Sequence, residues 1–543
     1  MPQLKVKILI LQICLISLTL INATPTAHGV GSPEEASGLY YYEIEVFDNG
    51  TSLIKISFEA RGLRPREYFS WLFVPVNLTG TLIYPLSGSL INASLTSSEY
   101  YFYSRYEFIF LPNESGMFAL LIKYRMNYSA LIIEPKGVFV SPLIYFSSRS
   151  NGKATVTLPG FVDPTYYEPT PDSIERLKDL VIIRYTLTPS IPRIYITFNV
   201  DIKPNMINLS FPPFMIITPS RYKAEATSLA RIYSKVYPIL RNITGLELKD
   251  VVVRFFVPSE MSDFSILGFV PFNPKTNKVG EIHLNIFYLR AIRGILEYGA
   301  VHELMHHVLW KLNVMPELLW VHEGLAEYMG LTLVHIIDER GVYKHGLEWR
   351  EKLLSDYVRR ARGDFSFLQK WRPGIAPIGD ILLCYASAYG IFKSLGDKYG
   401  LGLYKRLFKR IRDLNFPISS SALFIYLLSE AAGEDLLPQF RRLGFDVISV
   451  SAMIRALEGG EALVNDKLNP LSFIALPLYH EALALVEKGL YERAYTKLSL
   501  ALAVALLGRA VILLAPTYIL TSLVALTIAR NKLTKQTPKG LKA

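Results

Sequence analysis

The sequence predicts an N-terminal antiparallel β-sandwich, a mainly helical α+β domain, a helical stalk and one transmembrane helix near the C-terminus. Three patterns support this prediction. Apolar residues alternate with polar ones from Leu39 to about Val200, they recur at helical spacing from about Arg221, and 20 consecutive residues near the C-terminus carry no charge. A length of 543 residues and a mean hydropathy of +0.25 agree with several domains and with membrane segments.

Residues 1–27 have the pattern of a secretory signal peptide. Lys5 and Lys7 precede an uncharged apolar run at 8–21, and small or turn-forming residues follow. This run is shorter than the roughly 20 apolar residues that span a bilayer comfortably, so we expect cleavage, with an uncleaved anchor as the alternative. Cys14 would leave with this segment, and Cys384 alone would have no partner for an intramolecular disulfide.

The β-sandwich is expected at 39–204. Two alternating runs, 42–46 and 54–58, flank a turn signal at 48–50 and predict a β-hairpin, and similar short runs continue to about Val200. No residue pattern in this region indicates a catalytic or ligand-binding site. Seven N-x-Ser/Thr patterns in the first half of the expected exterior part predict an exported glycoprotein. They begin at Asn49, Asn77, Asn92, Asn113, Asn127, Asn208 and Asn242.

The second domain is expected at 205–460. A proline-rich segment at 204–219 would link it to the first. A helix at 222–241 and strands at Val251–Val257, Ile266–Phe272 and Glu281–Ile286 would precede a mostly helical remainder. The net charge of +11 is partly terminal, and no basic run is interleaved with aromatic residues, so nothing indicates nucleic-acid binding.

The C-terminal part predicts a membrane anchor. Residues 470–508 read as a helical stalk, either plainly amphipathic or a single tetratricopeptide-like helix pair broken at Gly489. Residues 510–529 are long enough to cross a bilayer, and membrane helices tolerate a proline such as Pro516. The basic tail at 530–543 favours the cytoplasmic side. We therefore expect a single-pass cell-membrane protein whose body is extracellular, with a buried core helix as the alternative.

The motif His-Glu-Leu-Met-His at 302–306 predicts a metal site. On a helix, His302 and His306 lie on one face and can reach one ion, while Glu303 is placed to act on a water there. Glu323 follows after sixteen intervening residues and would be the third ligand, which leaves one position open, as in catalytic zinc sites. Glu327, one turn later, could accept the far N–H of either histidine.

This arrangement resembles the gluzincin metallopeptidases, the thermolysin and aminopeptidase N group, over roughly residues 220–460. In that group the glutamate before the glycine is a zinc ligand, which matches Glu323, and the first glutamate of the motif is the general base, which matches Glu303. The segment 385–396 resembles the family helix that begins with a catalytic tyrosine, which matches Tyr385, with Tyr389 as the alternative. His322 stands where the family usually has asparagine.

The resemblance implies one Zn²⁺ ion per chain and a peptide or protein substrate. It does not include the family's Gly-x-Met-Glu-Asn segment, so endopeptidase and aminopeptidase action both stay open. The corresponding residues 279–285 could form an edge strand that pairs with substrate, and Glu281 is the candidate for binding a substrate amine. His283, His307 and His322 are interpreted as packing or surface residues.

Two other functions are compatible with the pattern. The chain could be a non-catalytic cell-surface protein that retains a metallopeptidase fold, although the intact set of motif residues argues against it. Zinc could also be purely structural, but Glu303 would then have no role. The sequence does not indicate an oligomeric state.

Overall fold

The computed structural model describes residues 33–535, except for 77, 98–101, 145, 147–149, 189–192, 204, 274–275, 277 and 415. The predicted signal peptide and most of the predicted basic tail lie outside the described residues. The chain forms two compact units, the first made of 1–311, 320–362 and 373–394, and the second of 312–319, 363–372 and 395–543. The predicted domain boundaries stay predictions.

The first unit begins with a β-rich region. Its strands are β1 (Glu34–Glu35), β2 (Leu39–Val46), β3 (Ser52–Ala60), β4 (Tyr68–Pro75), β5 (Leu78–Ser87), β6 (Ser89–Ser97), β7 (Tyr103–Leu111), β8 (Phe118–Met126), β9 (Ala130–Ile133), β10 (Lys136–Val140), β11 (Asn151–Pro159), β12 (Val162–Glu168), β13 (Ser173–Arg176), β14 (Leu180–Leu187) and β15 (Tyr195–Val200). They form a seven-stranded sheet, β13-β14-β11-β2-β3-β8-β5, and two four-stranded sheets, β1-β4-β7-β6 and β12-β15-β10-β9.

Apolar faces of all three sheets contribute to one core. Phe58 of β3 lies edge-on against Phe108 of β7, with ring centroids 5.6 Å apart. The predicted hairpin is confirmed, since β2 and β3 pair antiparallel with Tyr42 opposite Ile56. The expectation of purely antiparallel sheets is wrong, because β2 also pairs parallel with β11 and β1 pairs parallel with β4. A strand that returns after a long connection can enter in either direction.

A fourth sheet, here called the mixed sheet, follows within the same unit. Its strands β16 (Met206–Phe211), β17 (Phe214–Pro219), β18 (Val251–Phe256), β19 (Gly268–Phe269) and β22 (Ile282–Asn285) have the order β16-β17-β18-β22-β19, and β20 (Phe272–Asn273) pairs separately with β21 (Lys278–Val279). The segment expected to be a proline-rich linker is thus mostly a hairpin. The predicted strand at 266–272 is split, since Pro271 cannot donate a backbone hydrogen bond to a ladder.

Helices alternate with these strands and follow them along the chain. They are α1 (Lys223–Thr244), α2 (Ile295–Lys311), α3 (Leu319–Ile337), α4 (Lys344–Arg360) and α5 (Ile381–Tyr399). α2 contacts β19 and β22. The buried guanidinium of Arg290 donates to the carbonyl oxygens of Val140 at 3.1 Å and Ser141 at 3.3 Å, which ties the segment before α2 to the β-rich region.

The second unit is helical. Its helices are α6 (Leu401–Arg412), α7 (Ser421–Ala432), α8 (Leu437–Arg442), α9 (Val450–Val464), α10 (Ser472–Glu487) and α11 (Tyr491–Lys535). α10 and α11 pack on each other across a tight turn in which Gly489 has φ of +73°. The first half of the expected stalk is α10, and its second half is continuous with the expected membrane span, because both of these belong to α11. Among the described residues, α11 is the one helix long and apolar enough to cross a membrane.

Candidate metal centre

A glycine and a glutamate define the start of α2, the helix that carries the His-Glu-Leu-Met-His motif. Gly294 has φ of +109°, a conformation that favours glycine, and its N–H donates to a carboxylate oxygen of Glu297 at 2.8 Å. This bond satisfies one of the N–H groups left open at a helix start, so α2 begins at Ile295. His302 and His306 then fall one turn apart on the same face.

The structure brings three candidate ligands together. Nε2 of His302 lies 3.0 Å from Nε2 of His306, and Oε2 of Glu323 lies 3.3 Å from each of these nitrogens. All three side chains are largely buried. The group could hold a metal ion.

The donor set fits a small tetrahedral ion. Ligand atoms about 2.0–2.2 Å from such an ion lie about 3.3–3.6 Å from one another. The three separations of 3.0, 3.3 and 3.3 Å are close to this spacing. Two imidazoles and one carboxylate are ligands that zinc accepts, and three protein ligands would leave one position for water or substrate.

Glycine residues allow α3 to approach its neighbours closely. A Cβ atom at Gly324 would lie 2.6 Å from the ring of Phe392 in α5, and one at Gly330 would lie 3.1 Å from the carbonyl oxygen of Tyr298 in α2. Larger residues at either position would push α3 away. These contacts therefore help to bring Glu323 within reach of the two histidines.

The buried charges of the site are coupled. Burial raises the pKa of Glu323, but the charges of His306 and His302 outweigh it and lower that pKa well below its usual range. Burial lowers the pKa of His306, yet Glu323 and Glu303 outweigh it and the net pKa is raised.

Glu303 lies beside the candidate ligands without joining them. Burial raises the pKa of its carboxyl group, and the imidazoles of His306 and His302 offset this only in part. Its Oε2 atom is buried and has no hydrogen-bond partner among the described residues. An acceptor atom is thus available at the wall of the neighbouring cleft.

The cleft encloses about 660 Å³ of empty space, part of it open to solvent. Its walls come from the mixed sheet and from α2 to α5, and the lining residues include Gly268, Tyr288, His302, Glu303 and Tyr385. A Cβ atom at Gly268 would lie 2.7 Å from Cγ of Glu303, so only glycine lets strand β19 lie this close.

Tyr385 lies at the site as the sequence suggests. Its ring centroid is 6.5 Å from that of His302, and burial together with Glu323 raises its pKa well above the usual value. The phenol therefore stays protonated and can donate a hydrogen bond. Tyr389, the alternative, is buried and is not among the residues that line the cleft.

Glu327 has partners other than the predicted ones. Its carboxylate forms an ion pair with Arg350 of α4 and accepts a hydrogen bond from the hydroxyl of Tyr298 at 3.4 Å. Nδ1 of His302 has no hydrogen-bond partner among the described residues, so Glu327 does not orient that ring. The carboxylate instead holds Arg350 at the cleft wall.

The expectations for residues 279–285 need correction. β22 lies between β18 and β19, so the edge strand is β19. Glu281 forms an ion pair with Arg254 of the neighbouring strand and is not among the cleft residues, so it is not placed to bind a substrate amine there. Arg254 lies in β18 and Glu281 directly precedes the adjacent strand β22, so the two opposite charges lie close together.

The histidines interpreted as packing residues are found in packed positions. His307 and His322 are buried, and the ring of His322 lies 4.2 Å from that of Trp310. His283 stacks on Phe269 with centroids 4.6 Å apart.

Sequence reasoning missed several residues of the cleft, among them Tyr298, Arg350 and Gly268. Tyr298 precedes His302 by one turn and could have been found from that spacing. Arg350 and Gly268 lie on other elements and belong to no motif.

No protein-family model matches the chain, and no curated protein matches it significantly.

Proposed function

We propose that this protein is a membrane-anchored, zinc-dependent peptidase of the gluzincin type. The observation that carries the proposal is the convergence of His302, His306 and Glu323 beside a buried glutamate that lines a cleft. Zinc is proposed because its usual ligands and coordination distances agree with this donor set.

His302, His306 and Glu323 would hold the ion. A bound zinc ion would supply Lewis acidity, which lowers the pKa of a water toward about 7 and polarises the scissile carbonyl. The chain's own residues then have to move a proton and stabilise negative charge.

Glu303 is the proposed general base. Its carboxylate takes a proton from the attacking water as the new C–O bond forms, and later passes that proton to the leaving amine as the C–N bond breaks. A raised pKa makes the carboxylate a stronger base for the first of these steps.

Tyr385 is the proposed oxyanion donor. Its raised pKa keeps the hydroxyl protonated, so it can donate to the oxygen that gains charge in the transition state. The outer edge of β19 is the proposed site for an extended substrate backbone, since edge strands can pair with a peptide. A peptide paired with this edge would lie beside Glu303.

Glu303→Gln is the direct test. The variant should keep its zinc while peptide hydrolysis falls by about 10²–10⁴-fold, because an amide cannot take the proton. Metal content and cleavage of a peptide library by the full-length protein are the measurements. Glu317→Gln changes an exposed glutamate between α2 and α3 and should have no effect.

Full turnover in the Glu303→Gln variant would overturn the assigned base. A wild-type protein that binds zinc but cleaves no peptide would favour the non-catalytic surface protein. Loss of zinc from the Glu303→Gln variant would mean that Glu303 acts as a ligand.

A further inference from the structure

Three apolar side chains stand exposed between α9 and the first turn of α10. Leu468 is 83% exposed, Phe473 is 73% exposed and Ile474 is 41% exposed. Their neighbour Lys467 is also exposed. Clustered large apolar residues on a surface commonly mark a contact with a partner or a membrane.

Hydrogen bonds and an ion pair fix this connection to one turn of α11. The side-chain amide of Asn469, which is buried, donates to the carbonyl oxygen of Ala505 at 2.7 Å. Asp466 forms an ion pair with Arg509 at 3.3 Å. A Cβ atom at Gly508 would lie 1.8 Å from the side-chain oxygen of Asn469, so glycine is required for this approach.

That turn of α11 directly precedes the predicted membrane span. The span at 510–529 has 20 residues and a length of about 30 Å, which equals the thickness of a bilayer's hydrocarbon core. Leu506 and Leu507 lie one turn before it and are 58% and 59% exposed. The three exposed side chains of the α9–α10 connection are therefore held at the level where the bilayer begins.

The charges at this level fit a lipid boundary. Arg509 is the last charged residue before the span, and its pairing with Asp466 lowers the cost of placing a guanidinium near hydrocarbon. Lys467 can reach lipid phosphates while the apolar residues beside it enter the acyl region. Apolar faces of this kind are buried about 5–10 Å into the headgroup–acyl boundary.

We propose that Leu468, Phe473 and Ile474, here called the membrane collar, insert into the lipid boundary that surrounds α11. The collar gives the chain a second membrane contact and sets how deeply α11 is inserted. The proposal rests on α11 crossing the bilayer, and it is independent of the peptidase function.

The test places a fluorophore on the collar in the full-length protein. Phe473→Cys, in a Cys14→Ser background, is labelled with a polarity-sensitive dye after reconstitution into phosphatidylcholine vesicles. Cys384 is buried and should not react. We expect blue-shifted emission, loss of intensity with lipids spin-labelled near the headgroup, and little quenching by iodide in the water.

Two matched positions calibrate this experiment. Leu513→Cys, inside the span, should be quenched by spin-labelled lipid if α11 crosses the bilayer. Glu487→Cys, exposed at the other end of α10, should respond to iodide alone. The two ends of α10 lie about 21 Å apart, which the quenchers resolve. Leu468→Cys is a second collar position and should behave like Phe473→Cys.

A Phe473 label that responds to iodide but not to lipid would overturn the collar, while a lipid-quenched Leu513 label would leave the anchor standing. Self-quenching that rises with the ratio of protein to lipid, without lipid quenching, would make the collar an interface between copies. An unquenched Leu513 label would overturn the anchor and the collar together.

Discussion

The ion pair between Arg350 and Glu327 lies beside the candidate metal centre and is almost fully buried. Arg350 also lies over the ring of Tyr298, with its guanidinium carbon 5.6 Å from the ring centroid. A carboxylate as deeply buried as Glu327 depends on such partners, because leaving it without an opposite charge would cost several kcal/mol.

Arg350→Met should destabilise the protein by about 3–5 kcal/mol, since it leaves Glu327 charged and buried without its cation. Denaturant unfolding of the variant measures this loss. The double variant Arg350→Met/Glu327→Met should recover much of the stability, because apolar residues often replace a buried ion pair at little cost. Equal losses of stability in the single and double variants would mean that lost packing, rather than an unpaired charge, causes the destabilisation.

Metal affinity should fall as the pH is lowered. The pKa of His306 is raised in the metal-free chain, and an imidazole must lose its proton to bind a metal. Below that raised pKa, each pH unit should cost at least about tenfold in affinity, and the decline should begin above about pH 6.5. Competition with a chelator of known affinity between about pH 5.5 and 8 measures the effect.

Glu303→Gln supplies the control for this titration. Glu303 helps to raise the pKa of His306, so its removal should shift the onset of the decline to lower pH. Affinity that stays constant across the range would contradict the prediction.

At the residue scale, the sequence predicts contacts within one helix better than contacts between helices. The spacing of His302 and His306 fixes their common face, and the structure shows their nitrogens 3.0 Å apart. The partner of Glu327 could not be predicted, because Arg350 comes from another helix and no local pattern connects them. The ion pair of Glu281 could not be predicted either, because its partner Arg254 lies on a strand that is distant in sequence.

Strand β19 is an element in which a small change would disturb the candidate site. A Cβ atom at position 268 would lie 2.7 Å from Cγ of Glu303 and 2.7 Å from the carbonyl oxygen of His283. The backbone of His283 belongs to the adjacent strand and is held by its ladder. The carboxylate side chain is therefore the part that would move.

Gly268→Ala should lower turnover by about 10²-fold, because a displacement of about 1 Å at a catalytic group can cost this much. Zinc content should not change, since none of the three atoms nearest to the new methyl group belongs to a candidate ligand. Cleavage kinetics and metal analysis of the same preparation check both statements. Gly459→Ala, where a methyl group meets no atom within 4 Å, is the control. Full activity in Gly268→Ala would remove β19 from the site.

At the element scale, local sequence signals predicted individual strands and helices. They did not predict which strands pair when those strands are distant in sequence. The turn at 48–50 fixed the β2–β3 hairpin, and the helical spacing around 302–306 indicated α2. The proline-rich segment before α1 proved to be mostly the hairpin β16–β17 because apolar residues such as Phe214 and Ile216 are buried there. Proline content alone therefore misled the linker prediction.

The whole molecule is expected to stay with the membrane through α11. The side chains that are exposed along 511–528 are mostly large and apolar, and such a surface is unfavourable in water. The six predicted glycosylation asparagines within the described residues are all exposed, which suits a protein body outside the cell. Side, compartment and glycan occupancy stay predictions.

Truncation after Gly508 should convert the protein to a form that alkaline carbonate releases from membranes. The full-length chain should resist this extraction, because a spanning helix is held far more strongly than surface contacts. Immunoblots of the pellet and supernatant measure the difference, and Arg530→Gln in the tail is the control that keeps the span. Release of the full-length chain by carbonate would contradict a spanning α11.

The parallel pairing of β2 with β11 constrains the order in which the chain can fold. Asn151 is aligned with Leu39, so one edge of β2 stays unpaired until a strand 112 residues later in the chain has been synthesised. Until then the edge offers unpaired amides and carbonyls to any other extended chain, which invites aggregation. A chain that is exported as it is synthesised would therefore need protection across the membrane until β11 emerges and closes the sheet.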